Sequence, residues 1–97
     1  MPLSSQQVRY LRGLTHHLHP VVMVGDKGLS ENVMAEIENA LEHHELVKIR
    51  LRTDRDSRKE WIRQISDRCD AEKVHVIGQV ASFYKRNNKK PVIELPR

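Results

Sequence analysis

The chain has 97 residues, 38% of them apolar and 4% aromatic, enough for one modest and mainly aliphatic core. Its single cysteine, Cys69, excludes an internal disulfide, and no apolar run approaches the roughly 20 residues of a membrane span. Seventeen Lys and Arg against thirteen Asp and Glu leave a net charge of +4, too mild to decide a function but unevenly placed. The tail carries Lys85, Arg86, Lys89, Lys90 and Arg97 against Glu94 alone, whereas residues 30 to 42 carry Glu31, Glu36, Glu38 and Glu42 with no Lys or Arg. A basic chain that gathers its acids on one segment is expected to present different charge on different sides.

In chain order, MPLSSQQVRYLRG lacks the apolar run of a signal peptide, which points to a soluble cytoplasmic protein. Ser4 and Gln7 have the spacing of a capping box for a first helix, whose inward stripe is Val8, Leu11, Leu14 and Leu18. Arg9, Arg12 and His16 share another face, and Pro20 ends the pattern. Residues 21 to 24, VVMV, form a continuous apolar run, the pattern of a strand covered on both faces. The turn GDKG follows. Ser30 is placed to cap a second helix with Val33, Ile37, Ala40 and Leu41 inward and the glutamates outward.

LVKIRLR, residues 46 to 52, alternates with period two, so Val47, Ile49 and Leu51 point one way and Lys48, Arg50 and Arg52 the other, roughly 6.6 Å apart. Ser57 and Glu60 repeat the capping-box spacing for a third helix with the stripe Trp61, Ile62, Ile65 and Cys69. Residues 73 to 77 and 80 to 85 predict a hairpin turning at Gly78 and Gln79. NNKK reads as a polar turn, and VIEL at 92 to 95 as a short last strand. The order αβαβαββ predicts one α/β domain over residues 1 to 97, a four-stranded mixed sheet with helices packed on it. Each strand-helix-strand unit should supply parallel neighbours and the hairpin an antiparallel pair.

Catalytic chemistry finds no foothold: no nucleophile, base and orienting group recur at a workable spacing, and neither a P-loop nor GxGxxG is present. Neighbouring histidines such as His16 and His17 diverge by about 100° on a helix, and no Cys or carboxylate completes a tetrahedral set. Cys69 falls in register with core positions, and Asp54 and Asp56 suit a turn leading into a helix cap. No enzyme activity, cofactor or metal is predicted. GDKG has two readings. It is a tight turn whose glycines relieve backbone strain, or a loop whose missing side chains let a phosphodiester backbone approach beside Lys27. RNA-binding modules of the KH type clamp backbone with a GXXG loop, although theirs joins two helices and this one joins a strand to a helix.

HLHPVVMVGDKGLSENVMAEIENALEHHELVKIRL, followed by VHVIGQVASFYKR, resembles the YhbY family, the stand-alone bacterial form of the chloroplast RNA splicing and ribosome maturation (CRM) domain. The similarity runs from about Leu3 to Pro96. It implies a fold similar to the C-terminal domain of bacterial translation initiation factor three, RNA binding with a GxxG loop, and association with precursors of the large ribosomal subunit. By position, the loop is Gly25, Asp26, Lys27 and Gly28.

Charge and strand parity add Lys48, Arg50 and Arg52, then Arg9 and Arg12, and Lys85, Arg86, Lys89 and Lys90, with Tyr84 placed to stack on a base. The expected partner is large-subunit ribosomal RNA or its assembly precursor, bound by a monomer whose acidic helix faces away or meets a ribosomal protein. The competing reading is a protein-binding adaptor acting through helix 30 to 44.

Overall fold

The computed structural model describes residues 3 to 96. Its elements are α1 (Ser5–Thr15), β1 (Pro20–Val24), α2 (Glu31–His44), β2 (Leu46–Leu51), α3 (Arg55–Cys69), β3 (Glu72–Ile77) and β4 (Val80–Tyr84), the predicted order. At α1 the capping box forms: Ser4 Oγ accepts the Gln7 N–H at 3.1 Å and Gln7 Oε1 accepts the Ser4 N–H at 3.0 Å. At α2, Ser30 Oγ accepts the Val33 N–H at 3.2 Å. Helix α3 starts earlier than the Ser57–Glu60 spacing suggests. Asp54 is its N-cap, accepting the Ser57 N–H at 2.8 Å and the Ser57 hydroxyl at 3.1 Å. Those bonds hold the Asp54 carboxyl below the ordinary carboxylate range. The Asp54 carboxylate offers two acceptors, both used by Ser57, and a charge that suits a helix N-terminus.

The four strands lie in the order β1-β2-β4-β3. β1 and β2 are parallel neighbours joined by the α2 crossover, and β4 is antiparallel to both β2 and β3. The expectation of a second parallel neighbour pair is corrected: β3 sits at the far edge and β4 takes the interior place. Burial explains the choice, since Ala81, Ser82, Phe83 and Tyr84 are covered on both sides of β4 while β3 carries Glu72, Lys73 and His75, which tolerate an edge. β1 is the other edge, and it is covered on one face only. Val22 and Val24 are 6% and 0% exposed, but Val21 and Met23 are 55% and 57% exposed.

One face of the sheet packs Val22, Val24, Val47, Ile49, Leu51, Ala81 and Phe83 against α2 and α3, forming the larger core with Met34, Ile37, Leu41 and Ile65. On the opposite face a smaller core gathers Leu46, Val74 and Tyr84 under Leu11 of α1, with Leu14, Leu18 and the tail residues Ile93 and Leu95 beside it. Strand register puts Leu46, Tyr84 and Glu72 at one end of that face and Arg50, Val80 and Ile77 at the other. Helix α1 therefore covers only the first end.

Residues 92 to 95 do not form the expected strand. The N–H groups of the first two are taken by a side chain instead. Glu45, fully buried at the C-terminus of α2 with φ of 61°, accepts the N–H groups of Val92 and Ile93 through Oε1 at 2.7 and 2.6 Å and that of Asn87 through Oε2 at 2.6 Å. Its backbone carbonyl accepts the Lys85 N–H at 2.9 Å. Replacing Glu45 by Gln keeps the shape but turns one acceptor into a donor facing a donor, and should cost about 1–3 kcal/mol. The expected result is a lower melting temperature with faster tryptic cleavage after Lys85, Arg86 or Lys89; an unchanged melt and digestion pattern would contradict the role given to Glu45.

Candidate nucleic-acid interface

The GDKG loop stands at the carboxyl end of β1, closed by a 2.9 Å bond from the Gly28 N–H to the Gly25 carbonyl and followed by one of 3.0 Å from the Ser30 N–H to the Gly28 carbonyl. Two other connections meet it at this end. The Arg52 N–H donates to the Val24 carbonyl at 2.9 Å, and the hairpin residue Gln79 accepts the Leu51 N–H at 2.6 Å. The two glycines of the loop differ in kind. Gly28 has φ of +67° and a side chain there would meet the Trp61 indole at 3.6 Å, so the turn itself requires glycine. Gly25 has no such φ, and nothing lies within 4 Å of where its Cβ would be. Neither backbone conformation nor packing calls for glycine at 25, which leaves open space over the loop.

Lys48 and Arg50 point away from the helical face, as alternation predicted, and Arg52 continues the same parity beyond the strand. The three are not equivalent. Lys48 is half-buried and its Nζ donates to the Leu18 carbonyl at 3.2 Å, at the end of the α1 connection, whereas Arg50 and Arg52 are exposed. In the next row His75 pairs with Ser82, which pairs with Lys48. Burial first, then the positive field of Arg12, His16 and Lys48, pushes the His75 pKa below the usual imidazole value. Arg12 and His16 thus act on the same patch of sheet as Lys48, and Arg9 is exposed one turn away on α1. The ion pairs among the described residues lie elsewhere, Arg63 with Glu60 and Asp67, and Arg68 with Glu31, all on α3 and α2.

Lys85, Arg86, Lys89 and Lys90 follow β4, which runs opposite to β2, so they stand at the other end of the sheet from GDKG, on the order of 17 Å away along a strand of this length. They are held in a turn, with Asn87 Oδ1 accepting the N–H groups of Lys89 and Lys90 at 3.0 and 3.1 Å. Their surroundings are of mixed sign: Glu38 and Glu42 border one side of this segment and Asp67, Asp70 and Glu72 the other. The expectation that Tyr84 stacks on a base is corrected. Its ring is in the smaller core, 3% exposed, its hydroxyl has no protein partner, and burial raises its pKa. A ring whose partners are Leu11, Leu46 and Val74 has no face left to offer.

Cys69 is buried in the larger core, and desolvation pushes its thiol up, away from reactivity. Among the described residues, no three His, Cys, Asp or Glu side chains come together as a metal site would need. No helix among the described residues is long and apolar enough to cross a membrane. Sequence reasoning missed the position of Trp61 beside Gly28, where an added side chain would meet its ring, and the exposure of Met23 and Ile77. Edge placement of β1 and β3, which only the pairing order reveals, is what leaves those two aliphatic side chains uncovered.

Compared with known families, residues 3–85 match the CRS1 / YhbY (CRM) domain. The chain belongs to that family. It is 46% identical over 96 residues, 98% of this chain and 96% of the relative, to a Haemophilus influenzae protein named RNA-binding protein. A Bacillus subtilis relative named probable RNA-binding protein YqeI is 32% identical over 97% of this chain and 99% of its own length. Among solved structures, that of the hypothetical protein SAV1595 from Staphylococcus aureus, described as a suspected RNA-binding protein, superposes with a TM-score of 0.83 at 34% identity, covering 98% of this chain and 100% of that one. The αβαβαββ order and four-stranded mixed sheet are thus a CRM-domain fold.

The unequal glycines of this CRM domain make a direct prediction. Gly25→Ala should leave the melting temperature unchanged within error, and Gly28→Ala should cost roughly 1 kcal/mol, because an L side chain at φ of +67° is strained. Equal effects of the two substitutions in thermal melts would contradict this assignment.

Proposed function

We propose that the protein is a non-enzymatic RNA-binding protein that seats RNA on the strip running from GDKG across Arg52 and Arg50 to Lys48 and Arg12. The observation that carries this reading is one of sidedness. Cations without carboxylate partners collect on the sheet face opposite α2 and α3, beside a loop with open space over Gly25, while Glu36, Glu38 and Glu42 lie exposed on the outer surface of α2. Relatives named as RNA-binding proteins support the same class of partner.

Capture is electrostatic. Arg50, Arg52, Arg12 and Lys27 release counterions from the phosphate backbone, and the absence of a side chain at Gly25 lets that backbone come close. Lys85, Arg86, Lys89 and Lys90 extend the contact to longer RNA at the other end of the sheet. The family resemblance supports reading the RNA as ribosomal, in a precursor of the large subunit whose assembly the protein would assist in the cytoplasm. The acidic surface of α2 around Glu36 then stands clear of the RNA and suits a basic ribosomal protein, while Glu38 and Glu42 border the Lys85–Lys90 extension.

Binding of deproteinised large-subunit ribosomal RNA, followed against salt, tests the strip. Replacing Arg50 and Arg52 together by Gln should weaken binding and flatten the slope of log affinity against log salt by about 1.4 units, at roughly 0.7 per phosphate contact. Adding Lys48→Gln should change the slope less than either arginine, since that ammonium is already engaged by Leu18. A double variant with the parent's affinity and slope would remove the strip from the interface, and retention of all binding in a protein-containing particle but none with naked RNA would favour the adaptor reading.

A further inference from the structure

The half of the sheet that α1 leaves uncovered has a composition that phosphate binding does not explain. Register aligns Met23, Arg50, Val80 and Ile77 in one row across all four strands, β1 to β3, on the face opposite α2 and α3. Met23 is 57% exposed and Ile77 60% exposed, with Val80 partly covered between Arg50 and Ile77. At about 4.8 Å between strands the row spans roughly 14 Å. Arg52 borders it on the side of GDKG, and Lys48, Ser82 and His75 form the row behind it. Strand alternation puts no carboxylate in either row, because Glu72 lies a further row away, level with Tyr84 at the end that α1 covers.

Duplex RNA presents phosphates and ribose hydroxyls to a protein surface and keeps its base faces stacked inside, so it has no use for two exposed aliphatic side chains flanking an arginine. Unpaired nucleotides do, since their bases are flat and largely apolar on the face and can lie against side chains while the phosphates meet neighbouring cations. An acidic protein would match the arginines, but its carboxylates carry no flat apolar surface for Met23, Val80 and Ile77, whereas each unpaired nucleotide brings a base and a phosphate together.

Resting on the reading that the protein binds RNA, we propose that the Met23–Arg50–Val80–Ile77 row is a platform for unpaired nucleotides, with bases against Met23, Val80 and Ile77 and the connecting phosphates held by Arg50 and Arg52. The protein then prefers RNA with a loop, bulge or splayed junction over a continuous duplex of equal length and charge. Because the contacts are aliphatic and lack side-chain hydrogen-bond groups for base edges at Met23, Val80 and Ile77, the platform selects for being unpaired more than for sequence.

The test uses the full chain, a hairpin RNA with a seven-nucleotide loop, and a perfect duplex of the same number of phosphates. Met23→Thr with Ile77→Thr keeps β-propensity and removes exposed apolar surface only, so the melt should be preserved. Wild type should bind the looped RNA more tightly than the duplex, and the double variant should lose roughly tenfold on the looped RNA, about what two partly buried aliphatic side chains supply, while changing less than twofold on the duplex. Equal loss on both RNAs, or none on the looped one, overturns the platform. If wild type and the double variant bind both RNAs alike but Arg50→Gln with Arg52→Gln weakens both, RNA binding stands and the platform falls, leaving the row to a protein. If wild type binds neither RNA, the RNA-binding reading itself falls and the platform with it.

Discussion

A single buried carboxylate decides how this small fold is closed. Glu45 ends α2 with a positive φ of 61° and turns its side chain inward, where three backbone N–H groups of the tail converge on it at 2.6 to 2.7 Å. Hydrogen bonds to a charged acceptor are worth more than neutral ones, and a buried carboxylate left without them is strongly disfavoured, so the tail has one place to go. Tied there, it lays Ile93 and Leu95 beside Leu11 and Tyr84, and the Gln7 side chain reaches the Pro96 carbonyl at 3.1 Å. The smaller core is thus assembled from three distant parts of the chain around an acid that belongs to none of the apolar patterns.

That closure also fixes what is left open. With α1 and the tail both committed to the Leu46–Tyr84 end of the sheet, the Arg50 end keeps its solvent-facing row, while α2 and α3 cover β1, β2 and β4 on the other side. The charge asymmetry of the chain follows the same division. Glu31 is used in a pair with Arg68 between the two helices, and Arg63 is used between Glu60 and Asp67, so the cations spent on ion pairs belong to the helical side. Exposed pairs of this kind add little stability, but they leave the positive field of the sheet face undiluted.

Much of this was legible in the residues. The alternation in LVKIRLR placed Lys48 and Arg50 correctly relative to Val47 and Ile49, and the Ser4–Gln7 and Ser30 signals located two helix starts, because both are local rules with fixed periods. Pairing order was only partly legible: Glu72, Lys73 and His75 suit β3 to an edge, but no local rule places β4 between β2 and β3, which is decided by which strand the two cores bury more fully. The same nonlocal choice turned VVMV from a doubly covered strand into an edge with Met23 outward. VIEL looked like a strand because its apolar residues do face a core, but its N–H groups answer to Glu45, 47 and 48 residues earlier. Tyr84 was misjudged for a related reason: its neighbours Lys85 and Arg86 are exposed while the ring, one position earlier, points under α1.

The central claim is that RNA meets the sheet face and the GDKG loop, and that the outer surface of α2 stays clear. Backbone amide chemical shifts of the labelled protein, followed through a titration with deproteinised ribosomal RNA fragments, test it most directly. The account predicts that the largest changes fall on Met23 to Gly28, Arg50 to Thr53 and Ile77 to Val80, with much smaller changes over Glu36 to Glu42. Changes concentrated on Glu36 to Glu42, with the loop and sheet face silent, would contradict it.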